Sequence, residues 1–359
     1  MRKRLRLIFL CCLAVSTALL PMVGAQTRSP SVPLTTPDQS GSGLVLDFTA
    51  GVYRRISKQP LGGLGVKDFR VIEDGNAQTI VNVTRETSPL SIVAVVALGE
   101  GRYCEGSVFN ASVTKTMARL AQAFAESLKP GDELAIIATD QNAQMVRGFD
   151  ARRDTISTDF AEVARISDAS QRRINAFRVT YHGVPVNYTD MAFHKAATYL
   201  RQHKRQANRP VILFLRDFYN NYSEKRPGYN DSQTPEDVIQ ERTNLVLQEH
   251  LLISWLGDSG QRWNPPSDYF RKLPDLTGGE RESCYGVFLR VKDSTDPLAR
   301  VLEQLRTRYR ITYLSTNSQR DGRVRKLKLE VAAQWLKGKD SLEVRAPQAI
   351  IAARDGANH

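Results

Sequence analysis

Cysteine is scarce here: there are four in 359 residues, and two of them, Cys11 and Cys12, sit side by side in the first apolar run. No CxxC pair occurs, which excludes a thiolate zinc finger or ribbon. The five histidines (His182, His194, His203, His250 and His359) never fall at i, i+3 or i, i+4, so no helix offers a two-histidine metal grip. No glycine loop has the spacing that cradles phosphate. Beyond residue 20 no apolar run approaches the ~20 residues that a membrane-spanning helix needs. The densest basic block, Arg201-Gln-His-Lys-Arg205, is too short for a nucleic-acid footprint and reads as the solvated end of a helix.

What is present begins with a charged leader. Arg2-Lys3-Arg4-Leu5-Arg6 precedes an apolar run from Leu7 to Leu20, and Val23-Gly24-Ala25 supplies small residues before Gln26. This three-part pattern predicts a secretory signal over residues 1–25, cut after Ala25, and a secreted or periplasmic protein. The alternative is an uncleaved anchor, but the run is short and Pro21 and Gly24 interrupt its end. Leu10 precedes Cys11, and Cys11 itself precedes Cys12, where a lipoprotein signal wants a small residue. Cleavage would leave 334 residues and, with four basic residues gone, a formal charge of +8 instead of +12. Such a surplus favours acidic partners or an anionic envelope surface. Of the cysteines only Cys104 and Cys284 would remain, a possible disulfide in an oxidising compartment.

Residues 26–43 are rich in Pro, Ser, Thr and Gly and read as a flexible leader. Strand patterns follow at Leu44–Phe48, Phe69–Ile72 and Thr79–Val83, with a turn signal at Glu73-Asp74-Gly75. After Pro89 the pattern changes. Ser91–Ala97, Leu134–Thr139, Val211–Leu215, Leu251–Leu256 and Tyr285–Leu289 are continuous apolar runs, as expected of strands buried on both faces. Gln144–Arg147 looks like a hairpin partner of the second. Helical patterns lie between these strands, with Met117, Leu120, Ala121, Phe124 and Leu128 on one stripe and Leu298, Val301, Leu302 and Leu305 on another. Alternation of this kind predicts an α/β sheet with helices on both faces over residues 89–308. The tail becomes extended again at Tyr309–Leu314 and Arg325–Val331, separated by a hairpin signal, Gln319-Arg-Asp-Gly322. The economical arrangement joins residues 44–88 and 309–346 into one small antiparallel β domain, with the α/β domain inserted between them.

Four motifs in order, Gly63-Leu-Gly-Val-Lys-Asp68-Phe69 with Glu73-Asp74-Gly75, Leu128-Lys-Pro-Gly-Asp132, Asp275-Leu-Thr-Gly-Gly279 and Tyr309-Arg-Ile-Thr-Tyr313, carry a resemblance. The chain resembles the von Willebrand factor A-related proteins of the secreted acidobacterial type over nearly all of its length past the leader. That resemblance implies a Rossmann-like fold with its functional surface at the carboxyl edge of the sheet. It also implies a place for a divalent cation, held by a DxSxS loop after the first strand, a Thr from a second loop and an Asp after the fourth strand. Oxygen ligands of this kind suit Mg²⁺.

Here the first loop reads Ala97-Leu98-Gly99-Glu100-Gly101, so Ala, Gly and Gly replace the Asp and both Ser. Val186 stands nearest the expected Thr, and only Asp217, in Leu215-Arg216-Asp217-Phe218, keeps its type. A shifted register could bring in Glu100 or Thr189. The expectation is therefore a degenerate site with no metal and no cofactor. Gly257-Asp258-Ser259-Gly260 matches the tetrapeptide around a trypsin-like nucleophile but follows a buried strand, so it reads as a polar turn. Aromatics gather after the Asp217 strand: Phe218, Tyr219, Tyr222 and Tyr229, among Asn220 and Asn221. The sequence thus points to a non-enzymatic binding module using Gly99, Glu100, Gly101, Asp217, Phe218 and Tyr219 on a protein or envelope partner. Two other readings stay open: a cation-dependent adhesion domain using Glu100 and Asp217, and a thiol enzyme using Cys104.

Overall fold

The computed structural model describes residues 43–97, 113–139, 143–167, 189–217, 236–258, 268–283, 296–332 and 341–352. The central element is the strand β4 (Leu90–Ala97), flanked by β5 (Glu133–Thr139) and β7 (Arg209–Asp217) in parallel. Ile92, Ala94 and Val96 pack on one face of the sheet and Val93 and Val95 on the other, all with no exposed surface. This is why the run carries no polar alternation: both faces are covered. Next to β7 come β8 (Leu252–Asp258) and the short β9 (Arg281–Ser283), also parallel. β6 (Ala143–Arg147) closes the other end, antiparallel to β5, as the hairpin reading expected. The order β6-β5-β4-β7-β8-β9 is a doubly wound sheet.

Helices cover both faces. α1 (Val113–Ser127), α2 (156–167) and α6 (Pro297–Arg306) bury Met117, Phe124, Phe160, Val301 and Leu305 on one side. α3 (Thr189–His203), α4 (Glu236–Gln248) and α5 (Asp268–Thr277) bury Phe193, Leu200, Val246 and Leu273 on the other. α6 has a defined start: Asp296 accepts from the backbone N–H of Leu298 at 2.7 Å, and Pro297 takes the first helical position.

The second sheet has seven strands in the order β12-β1-β10-β3-β2-β11-β13. It draws β1 (Leu44–Arg54), β2 (Phe69–Glu73) and β3 (Asn76–Arg85) from before the α/β region. β10 (Tyr309–Ser315), β11 (Val324–Val331), β12 (Leu342–Arg345) and β13 (Ala349–Ile351) come from after it. β10 lies between β1 and β3, so the two flanks form one sheet with a shared core of Phe48, Val52, Phe69, Val71, Ile311 and Tyr313. β2 and β3 meet at a two-residue turn, where Asp74 and Gly75 both take positive φ (47° and 87°). That is the right-twisted turn an Asp-Gly pair favours.

One expectation is corrected. Gln319–Gly322 does not make a hairpin: β10 pairs with β1 and β3, β11 with β2 and β13, and the β2–β3 hairpin sits between them. The turn signal is local, while the pairing is decided by which edges still need partners. The last parallel strand begins at Arg281, before Tyr285–Leu289, which lies outside the described residues. The predicted signal, the leader as far as Ser42 and both Cys104 and Cys284 also lie outside them.

Candidate functional site: the carboxyl edge

Five parallel strands bring their carboxyl ends to one edge in register. Ala97 of β4 is level with Thr139 of β5, Val96 is level with Leu215 of β7, and Asp217 of β7 is level with Asp258 of β8. Gly257 in turn is level with Ser283 of β9. Adjacent strands lie about 5 Å apart, so Asp217 and Asp258 are neighbours across the sheet, whereas Thr139 and Asp217 are two strands, about 10 Å, apart. Thr139 is buried, and its hydroxyl has no hydrogen-bond partner among the described residues. β4, which sits between those two strands, ends in an alanine and offers the edge no side-chain oxygen.

Of the residues expected at the site, Asp217 is placed at the last position of β7. Gly99, Glu100, Gly101, Val186, Phe218 and Tyr219 lie outside the described residues. Sequence reasoning missed Asp258, which belongs to β8 and not to a turn after it. A signal was available: Val211–Leu215 and Leu251–Leu256 are each followed by one residue and then Asp. Among the described residues no group of three or more His, Cys, Asp or Glu is arranged to hold a metal ion.

The structure also brings together charges that no motif announced, at the junction of the two sheets. Arg308, with no exposed surface, pairs with buried Glu280 at 2.9 Å and donates to the carbonyls of Gly278 (2.6 Å), Arg345 (2.9 Å) and Thr49 (3.3 Å). The Tyr53 hydroxyl lies 2.7 Å from Glu280 Oε1 and 2.9 Å from the Gln304 carbonyl. Burial holds the Glu280 carboxyl above its ordinary range, against the pull of Arg308 and the Tyr53 hydrogen bond. Burial and then the Glu280 charge push the Tyr53 phenol well up.

The Thr277-Gly278-Gly279 motif is the turn that docks here. Thr277 Oγ1 accepts from the Ile253 N–H at 3.1 Å and donates to the Leu273 carbonyl at 3.0 Å. Gly278 has φ +71°, and a Cβ there would lie 2.6 Å from the Ala346 carbonyl carbon; one on Gly279 would lie 1.9 Å from the Ile253 oxygen. Only glycine fits at either place. This turn leads directly into β9 and so to the carboxyl edge.

A mostly parallel sheet with one antiparallel end strand and helices on both faces decides the fold. The fold is α/β and Rossmann-like, the arrangement that the resemblance to von Willebrand factor A domains implies. No family model matches the chain, and no curated protein matches it. Among solved structures it is similar to BatB of Bacteroides thetaiotaomicron, at 8% identity over 60% of this chain and 97% of that one, with TM-score 0.37. It is also similar to a von Willebrand factor type A protein of Catenulispora acidiphila, at 13% identity over 89% and 76%, with TM-score 0.36. A third is the manganese-loaded TRAP protein of Plasmodium vivax, at 10% identity over 76% and 97%, with TM-score 0.34. At such identities and TM-scores these likenesses say nothing of what the chain binds, which has to be read from its own residues.

Proposed function

We propose that the chain is an exported, non-enzymatic binding module that grips a protein or an envelope component through its carboxyl edge without a metal ion. The observation that carries this reading is the end of β4: Ala97, followed in sequence by Gly99 and Gly101, leaves the centre of the edge without the oxygens a Mg²⁺ shell needs. Glu100, Asp217, Phe218 and Tyr219 are then the side chains that meet the partner, aromatics beside a carboxylate being a common make-up of binding patches. Export rests on the pattern of residues 1–25, and the positive balance of the remainder favours an acidic partner. No described helix is long and apolar enough to cross a membrane. Retention of an envelope component by the immobilised protein should persist in chelator and be lost in a Phe218→Ala/Tyr219→Ala variant. Retention that needs Mg²⁺, or that survives the double variant unchanged, contradicts the reading.

One observation favours a second reading. Asp217 and Asp258 are level on adjacent strands at the edge, and an aspartate pair at such a register suits a cation completed by water. In that case binding would require the cation and fail in Asp217→Asn.

A further inference from the structure

We propose that the carboxyl edge holds a partner protein by an acidic side chain, taken at the corner where Thr139 ends β5 and Lys195 of α3 reaches the start of β6. This deepens the reading of the edge as a metal-free binding surface and rests on it. Strand alternation puts Thr139 on the same face as Ala135 and Ile137, the face that α3 covers with Ala192, Phe193 and Ala196. Ala143 lies directly across from Thr139 in the antiparallel pair and packs on that same face. Lys195 Nζ donates to the Ala143 carbonyl at 2.7 Å. Paired residues of antiparallel strands have Cα atoms roughly 5 Å apart, so the ammonium and the Thr139 hydroxyl share one corner, within about 10 Å of each other.

Both groups are short of partners. Thr139 is 3% exposed, and its hydroxyl neither donates nor accepts a hydrogen bond among the described residues. A buried hydroxyl in that state is a cost to folding, which a valine of the same shape would avoid. Lys195 is half-buried and carries three donors, of which the Ala143 carbonyl takes one. No carboxylate pairs with it among the described residues. An orphan hydroxyl and an uncompensated ammonium at one corner are polar groups that folding alone does not satisfy.

A carboxylate supplies what both need, negative charge and two acceptor oxygens. The corner is not broadly basic, since Asp140 follows Thr139 in sequence and Asp190 stands second in α3. That balance suits one Glu or Asp side chain of a partner, held by hydrogen bonds, and disfavours phosphate or a polyanion. Such a residue sets its carboxylate on Lys195 and accepts from Thr139 with an oxygen of the same segment.

The probe is N-acetyl-glutamate amide, with N-acetyl-glutamine amide as its neutral twin, titrated into the full chain and followed by amide chemical shifts. The glutamate probe should bind with a Kd of about 1–10 mM and shift Thr139 and Ala143, whereas the glutamine probe should not. Lys195→Gln should weaken that binding about tenfold. Thr139→Val should weaken it too and at the same time raise the melting temperature, since the orphan hydroxyl goes and the shape stays. A structural role for Thr139 predicts the reverse, so a destabilised or unfolded Thr139→Val overturns the proposal. Equal binding of both probes, shifts that spare residues 139 and 143, or no saturation by ~100 mM overturns it as well. The two readings fail separately. Retention of an envelope component that is lost in Phe218→Ala/Tyr219→Ala but unchanged in Lys195→Gln keeps the edge and sinks this corner. Glutamate binding at residues 139 and 143 with no retained component keeps the corner and contradicts the reading of the edge.

Discussion

The two sheets are stabilised by opposite means. In the six-stranded sheet the interior is apolar on both faces, and the central strands β4 and β7 bury Ile92 to Val96 and Val211 to Leu215 with almost no exposed surface. The seven-stranded sheet encloses an apolar core too, but it is tied by buried ions. Arg325 pairs with Glu73 at 3.1 Å, both nearly unexposed, and Glu73 also accepts from the hydroxyls of Tyr313 and Ser315 at 2.6 Å each. Arg308 and Glu280 do the same where this sheet meets the α5–β9 turn. The first kind of interior tolerates loss of a contact in proportion to volume; the second fails when one partner is taken away.

The sharpest contrast pairs Phe214→Ala with Arg308→Met. Phe214 stacks on Trp255 at 4.5 Å in the α/β core, and its loss should cost about 3–5 kcal/mol in denaturant unfolding. Arg308→Met should cost a similar ~3–5 kcal/mol, because Glu280 is left buried and uncompensated. The two differ in rescue: adding Glu280→Met should recover most of the Arg308→Met loss, whereas no partner change restores the cavity. If the double variant is no better than the single, the ion-pair account of the junction is wrong.

Gly278→Ala should cost about 1–2 kcal/mol from positive φ, with a further loss from the Ala346 contact, and should speed exchange of the amides around Glu280. Acid should weaken the antiparallel side first. Burial alone would raise the Glu86 carboxyl, yet the Ser88 N–H and Arg310 outweigh it and hold it below its ordinary value of 4.5. That stability is complete above 4.5 and is lost as pH falls through the lower folded value. Arg310→Ala should flatten this dependence. At the small end, Arg70→Ala, which removes an exposed pair with Glu330, should leave the melting temperature unchanged within error.

The parallel strands were legible because burial on both faces leaves unbroken apolar runs, and residues 209–215 or 252–256 admit little else. The ion pairs were not. Arg325 shares the inward parity of Leu327 and Leu329 in β11, yet nothing local names Glu73, 252 residues away, as its partner. The motifs behind the family resemblance prove to be clasps. Asp132 accepts from the Leu90 and Lys129 N–H groups at 2.8 Å, and Tyr309 packs on Phe69 at 5.5 Å while donating to the Leu61 carbonyl at 2.7 Å. They identify the fold and say little of the partner. At the carboxyl edge Asp217 was legible, but its register with Asp258 depends on a pairing between strands that only the folded sheet defines.

Metal independence of the edge is tested most directly by melting the protein with millimolar Mg²⁺ or Mn²⁺ and with chelator. A cation held at a hundredfold excess over its Kd would add about 2.7 kcal/mol, or roughly 4 °C in a chain of this size. With Ala97, Gly99 and Gly101 in place of ligands, no shift beyond an ionic-strength control is expected. A reproducible, cation-specific rise that disappears in Asp217→Asn would contradict the account and establish Asp217 as a metal ligand.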